Sequence, residues 1–167
     1  ERDVARLLDT SIFRVGGTIW RGSADIQYRD FPGSGLNWSL APLPLLSRTA
    51  DLTLAVVGLG HRLSGNLVTD GEDGGITDVN GSIGSDYINH VSSRYGLRFS
   101  GSLELNDLTV TVDHNWFSYV HGKIYWTGGN VLYQAENGSQ SVNLPPLDGE
   151  LSMSDSKLTL FVNNVRL

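Results

Sequence analysis

Period-two alternation runs through almost the whole chain and confines it to β-structure. In "GGTIWRGSADIQY", residues 16–28, Trp20, Gly22, Ala24, Ile26 and Tyr28 share one side, while Arg21, Ser23, Asp25 and Gln27 share the other. A strand with one buried face reads this way. The spacing returns in "LNWSL" (Leu36, Trp38, Leu40), "ADLTLAVVG" (Ala50, Leu52, Leu54, Val56) and "RLSGNLVT" (Leu63, Gly65, Leu67). It returns at Leu97, Phe99, Gly101, Leu103 and Leu105, and again at Leu108, Val110 and Val112. "GKIYWTGGNVLYQ", "SVNLPPL", "GELSM" and "KLTLFV" complete a series of roughly ten to twelve short strands.

The punctuation between strands is equally dense. Gly58, Leu59 and Gly60 leave a hairpin-length gap, "DGEDGG" supplies a loop, and Asn80-Gly81 and Asn106-Asp107 read as further turns. Glu136-Asn137-Gly138-Ser139 and Asp148-Gly149 read as connections nearer the C-terminus. In "APLPLL", Pro42 and Pro44 remove ladder donors, which predicts an apolar elbow buried against the sheet. Two segments depart from alternation. "ERDVARLLDT" reads as an amphipathic helix through Val4, Leu7 and Leu8. "SDYINHVSSRYG" reads as a short helix through Tyr87, Ile88, Val91 and Tyr95, with Ser85 or Asp86 to cap it and Gly96 to end it. The expected fold is therefore all-β and mainly antiparallel: a strongly curved sheet or partly open barrel, with a short N-terminal helix and one short internal helix.

With 167 residues and 40% hydrophobic content, the chain has the material for one domain spanning residues 1–167. A net charge of -6, with no run of Lys or Arg, argues against a nucleic-acid partner. The absence of cysteine excludes disulfides, thiol chemistry and Cys-ligated zinc, and leaves the compartment open. No segment approaches the roughly 20 apolar residues of a membrane-spanning helix. The first residue is Glu1, which suggests a piece of a longer chain.

Residue patterns that carry chemistry are sparse. There is no Gly-x-Ser-x-Gly elbow, and His61, His90, His114 and His121 lie on separate elements with no His-Glu-x-x-His pair. Structural or surface histidines are the expectation. Asp70, Glu72, Asp73 and Asp78 match neither an EF-hand nor a calcium-binding repeat, so they read as a solvated acidic loop. No metal, cofactor or catalytic residue is expected. The aromatic residues are more informative. Phase sends Trp20, Trp38 and Trp126 inward, and Gly22 beside Trp20 suggests a gap in which an indole from this strand or a neighbour lies flat while the sheet coils. Full burial of Trp20 follows as an expectation. Trp116 and Phe117 are adjacent in "HNWFSYVHG" and must face opposite sides if extended, so one of them is a candidate exposed contact. "GTIWRGSADI" and "GKIYWTGGNV" form a weak internal echo, open to duplication or to convergent packing.

The order of "VARLL", "VGGTIWRGSADI" and "LNWSLAPLPLL" resembles the protein N family of bacterial type II secretion systems. That family carries a Gly-Thr-x-Trp-x-Gly-x-Ala strand followed by Trp-x-Leu-x-Pro and a Leu-Leu pair. "GSIGSDYINHVSSRYGLRFSGSLELNDLTV" and "HGKIYWTGG" are similar to its middle and second Trp-Gly segments. The resemblance marks Gly17, Trp20, Gly22, Ala24, Trp38 and Pro42 as signature positions, with Gly122, Trp126 and Gly128 in the second segment. It implies no catalytic residues. It also implies a periplasmic β-domain of an inner-membrane protein, whose single N-terminal span is missing here, and other envelope proteins of the secretion machinery as partners. The expected function is a non-enzymatic structural or interaction component supporting export of folded proteins across the outer membrane. Two alternatives remain: a carrier whose glycine-bent sheet encloses a lipid or other hydrophobic ligand, and a carbohydrate-binding β-sandwich.

Overall fold

The computed structural model describes residues 10–165 apart from 30, 72, 114–115, 136–137 and 155–156. The helix expected in "ERDVARLLDT" lies outside the described residues. Strands β1 (Thr10–Gly17), β2 (Arg21–Tyr28), β3 (Ser34–Leu40), β4 (Ala50–Gly58), β5 (His61–Thr69) and β6 (Gly74–Ile83) follow one another as hairpins. Helix α1 (Ser85–Ser92) then leads through a short 3-10 turn to β7 (Leu97–Phe99). The chain continues through β8 (Leu103–Asp113), β9 (Trp116–Trp126), β10 (Gly129–Ala135), β11 (Gly138–Leu144), β12 (Leu147–Ser154) and β13 (Lys157–Val165).

Ten of these strands form one antiparallel sheet in the order β1-β2-β3-β4-β5-β6-β8-β9-β12-β13. The three strands this meander skips form a small sheet of their own, β11-β10-β7. The large sheet does not close, and β1 and β13 are its two edges.

Three expected turns or connections lie inside longer strands, Asp148-Gly149 within β12 at a register slip and the other two at bulges. Asn80-Gly81 lies within β6 and Asn106-Asp107 within β8. Between Ile76↔Val110 and Val79↔Leu108, β6 advances three residues while β8 advances two. Between Val79↔Leu108 and Gly81↔Leu105 the inequality reverses. One extra residue in each strand is taken up by a left-handed backbone, at Asp78 (φ 52°) and Asp107 (φ 51°). Asn and Asp tolerate positive φ, which both turns and bulges require, so the same dipeptides signal either. Asn80 ties the two bulges together: its Nδ2 donates to Asp78 O at 2.9 Å, and its Oδ1 accepts from Asp107 N at 3.1 Å. The neighbouring strand must give way, because a Cβ on Gly122 in β9 would lie 2.5 Å from Leu108 Cα.

These bulges preserve one face. Across successive ladders Ala24 pairs with Leu36, Leu36 with Val56 and Val56 with Leu63. Beyond the bulges Leu105 pairs with Ile124, and Leu151 with Leu160. The opposite face carries polar residues such as Asn37, Thr53, Arg62, Ser82, Glu104 and Lys123. Yet among the described residues only Ala24, Leu105, Val120 and Val131 are buried apolar side chains. The accessible surface is 11666 Å², against about 8,100 Å² for a compact chain of this mass.

The internal helix forms where expected, but Gly84 rather than Ser85 or Asp86 is its N-cap, with no side-chain capping bond. The Gly84 N–H is already taken by Gly60 O at 2.6 Å. Asn89 fixes the helix to β7 by accepting from Phe99 N at 2.7 Å and donating to Phe99 O at 2.8 Å. Gly96 (φ 70°) follows the 3-10 turn in a left-handed conformation, and Tyr95 of that turn is 79% exposed rather than part of the packed face.

Gly122→Ala is expected to lower stability by about 1–3 kcal/mol, because the atom it meets is backbone and cannot rotate away. Urea unfolding checks this against Gly35→Ala, whose added Cβ would meet its nearest neighbour, Val57 O, at an ordinary 3.6 Å; that control is expected to shift stability by less than about 1 kcal/mol.

Candidate interaction surface

Gly22 does receive an indole, and it comes from the neighbouring strand. Gly22 pairs with Trp38, and a Cβ on Gly22 would fall inside the Trp38 ring and 2.7 Å from Gly16 O. The Trp38 Nε1–H donates to the carbonyls of Thr18 and Ile19, each at 3.2 Å, so the ring also holds the turn between β1 and β2. Trp20 sits in that turn, outside β2, and is 47% exposed. The expected burial of Trp20 is thus corrected: the alternation that begins in β2 does not extend back to it. Gly17, at the end of β1 with φ 97°, faces Gly22 across the ladder, and Ala24 is buried opposite Leu36.

The second Trp-Gly segment is built differently. Trp126 is the last residue of β9, and the glycine beneath its ring is Gly101, whose added Cβ would lie 2.6 Å from Trp126 Cζ2. Phe99 meets the same indole edge-on, with centroids 5.6 Å apart. Gly128 (φ 82°) lies in the turn into β10, and Gly122 is buried against β8. In both places an indole rests on a glycine of another segment, but the two Trp-Gly stretches occupy different parts of their hairpins.

At one end of the sheet, α1 closes over an aromatic cluster. His61 stacks at 4.5 Å on Tyr87, while Phe31 lies 5.1 Å from Tyr87 and 4.4 Å from His90. Ser34 Oγ and His61 Nε2 are 2.8 Å apart, and both residues are buried. A serine beside a histidine is the start of a nucleophile–base pair. Here His61 Nδ1 has no hydrogen-bond partner, so no carboxylate orients the ring. Ser34 Oγ also lies 3.4 Å from Pro32 O, the bond it donates when Nε2–H donates to it. The pair ties β3 to β5 across β4, and Gly58 leaves the space that the ring fills.

The other polar candidates stay dispersed. Asp70 accepts from Asp73 N at 2.9 Å within the β5–β6 turn, whereas Asp78 sits in the β6 bulge and accepts from Thr77 Oγ1 at 3.1 Å. Glu72 and His114 lie outside the described residues. His121 is half-exposed, 3.7 Å from Glu150. Among the described residues no three His, Asp or Glu side chains gather to hold a metal ion.

What the structure does gather is apolar surface. Pro42 is exposed, and the elbow after it is a 3-10 turn, Pro44–Ser47. Leu43 and Leu46 there are 76% and 86% exposed, not buried against the sheet as expected. Residues three apart eclipse in such a turn, so both leucines point the same way, into solvent. Phe117 on β9 is 61% exposed, and the side chain of its neighbour Trp116 lies outside the described residues. On the apolar face, Leu54, Val56, Leu63, Gly65, Ile76 and Val79 line a cavity of about 170 Å³ shared by β4, β5 and β6. Sequence reading found the members of this face but took the phase rule to mean that they were covered.

A family model described as type II secretion system (T2SS), protein N, matches residues 10–166. No curated protein and no solved structure matches the chain. The matched span includes both Trp38 and Trp20, which the structure treats unequally. Trp38→Ala, which removes a partly buried ring, is expected to cost at least about 2 kcal/mol, and the half-exposed Trp20→Ala only about 1 kcal/mol. Chemical denaturation of the two variants checks the difference.

Proposed function

Because the chain belongs to the type II secretion system protein N family, we propose that it is a non-enzymatic interaction component of that machinery in the cell envelope. In this reading it supports the export of folded proteins across the outer membrane by offering a preformed β-surface to other components. The observation that carries the reading is the uncovered apolar face. On it Ile76, Leu158, Leu160 and Val162 are 40%, 56%, 53% and 53% exposed. Contiguous exposed apolar surface on an ordered domain marks a binding surface. The resemblance further suggests that the domain lies in the periplasm on an inner-membrane protein with one N-terminal span. Among the described residues no helix is long and apolar enough to cross a membrane. Affinity capture with this chain from solubilised envelopes is expected to recover other secretion components. Capture of none, with secretion intact after deletion, overturns the reading.

A second reading rests on the aliphatic cavity between β4, β5 and β6. It is open to solvent and lined by aliphatic side chains, with room for part of a hydrocarbon chain. A lipid chain is a chemically suitable occupant, since the ladder leaves no backbone group in the cavity floor to be satisfied. Native mass spectrometry of the purified chain after exposure to phosphatidylethanolamine vesicles separates the readings. A carrier is expected to retain lipid, and an interaction surface to emerge free of it.

A further inference from the structure

The two edges of the large sheet are not alike. Edge β1 is blunted: its ladder with β2 slips between Phe13 and Gly16, Arg14 adopts φ 50°, and the Arg14 guanidinium pairs with Asp25. A bulge and an edge charge are the standard means of keeping another strand from adding to a sheet. Edge β13 has neither over its central part. From Leu158 to Val162 it pairs with β12 without interruption, and the one slip in that ladder leaves Asn163 of β13 unpaired just beyond Val162. Its only charge in this stretch is Lys157 at the first position. Leu158, Leu160, Phe161 and Val162 are 56%, 53%, 56% and 53% exposed. The apolar face therefore runs to this rim without a polar boundary.

We propose that β13 is a self-association edge, where two copies of this chain pair antiparallel through Leu158–Val162 about a two-fold axis at Leu160. The occupant follows from two features. Outward-pointing N–H and C=O groups of an edge demand an extended backbone. The stretch is self-complementary in that register: on the apolar face Leu158 meets Val162 and Leu160 meets Leu160, while on the other face Thr159 meets Phe161. Lys157, the one charge, lies outside the paired stretch, so no like charges are juxtaposed. Pairing about an axis perpendicular to the sheet keeps both apolar faces on one side, as a single twenty-stranded surface. The symmetry is closed, whereas β13 pairing with β1 would build an open filament, and the blunted β1 edge opposes that. Self-association goes beyond the proposed secretion role and does not require it.

The cysteine-free chain allows a direct test by single-cysteine scanning of the purified full chain. Only a residue on the two-fold axis faces its own copy, and directly opposed strand residues lie about 4.5–5.5 Å apart at Cα, within disulfide reach. Under mild air oxidation Leu160→Cys is expected to give a covalent dimer, while Leu158→Cys and Val162→Cys remain mainly monomeric on a non-reducing gel. Leu160→Lys places like charges opposite each other and is expected to weaken dimerisation in sedimentation at least about tenfold, with the circular dichroism of the native fold. A monomer at all concentrations, equal crosslinking at all three positions, or unchanged sedimentation of folded Leu160→Lys overturns the proposal. None of these outcomes depends on other secretion components, so affinity capture from envelopes still tests the secretion role separately.

Discussion

Everything in this protein depends on keeping aliphatic side chains on one face across nine consecutive antiparallel ladders. A strand has period two, so a single inserted residue would send every later side chain to the wrong face. The chain inserts residues at Asp78 and Asp107 and restores the phase at once with a left-handed backbone at each. Asn80 spans both insertions, and Gly122 gives the second one room. The bulges are therefore not flaws in a regular sheet. They let long strands bend while their apolar faces stay aligned.

The same constraint explains why so little is buried. A single face held in phase over ten strands needs a second layer to cover it, and α1 with the small β7-β10-β11 sheet reaches only part of it. Where that cover exists, packing is specific: His61 against Tyr87, Phe99 against Trp126, Asn89 bonded to both backbone groups of Phe99. Elsewhere the aliphatic side chains stand half-exposed, and β13 carries them to the rim of the sheet. A domain of the type II secretion system protein N family built in this way has surface to offer and no clustered reactive groups among its described residues.

The indole contacts show how a short motif is realised by its neighbours. Gly22 is required by Trp38, not by Trp20, and Gly101 is required by Trp126. In each case ring and glycine come from different segments, because in a sheet the residue alongside belongs to the next strand. The Ser34–His61 pair has the same character. It joins β3 to β5 over Gly58, and its missing carboxylate leaves it a structural contact.

Alternation alone determined that this chain is antiparallel β-structure with one apolar face, and a break in alternation at residues 85–96 determined the internal helix. Those are local properties, set by the two-residue and 3.6-residue repeats of the backbone. Tertiary structure decided the rest. A change of phase near Asn80 and Asn106 fits either a turn or a bulge, and only the partner strand's register selects between them. Likewise Trp20 and the leucines of the Leu43–Leu46 elbow are as apolar as Trp38, yet they stand more exposed than it. Burial depends on whether another layer lies above a residue, and no local period records that.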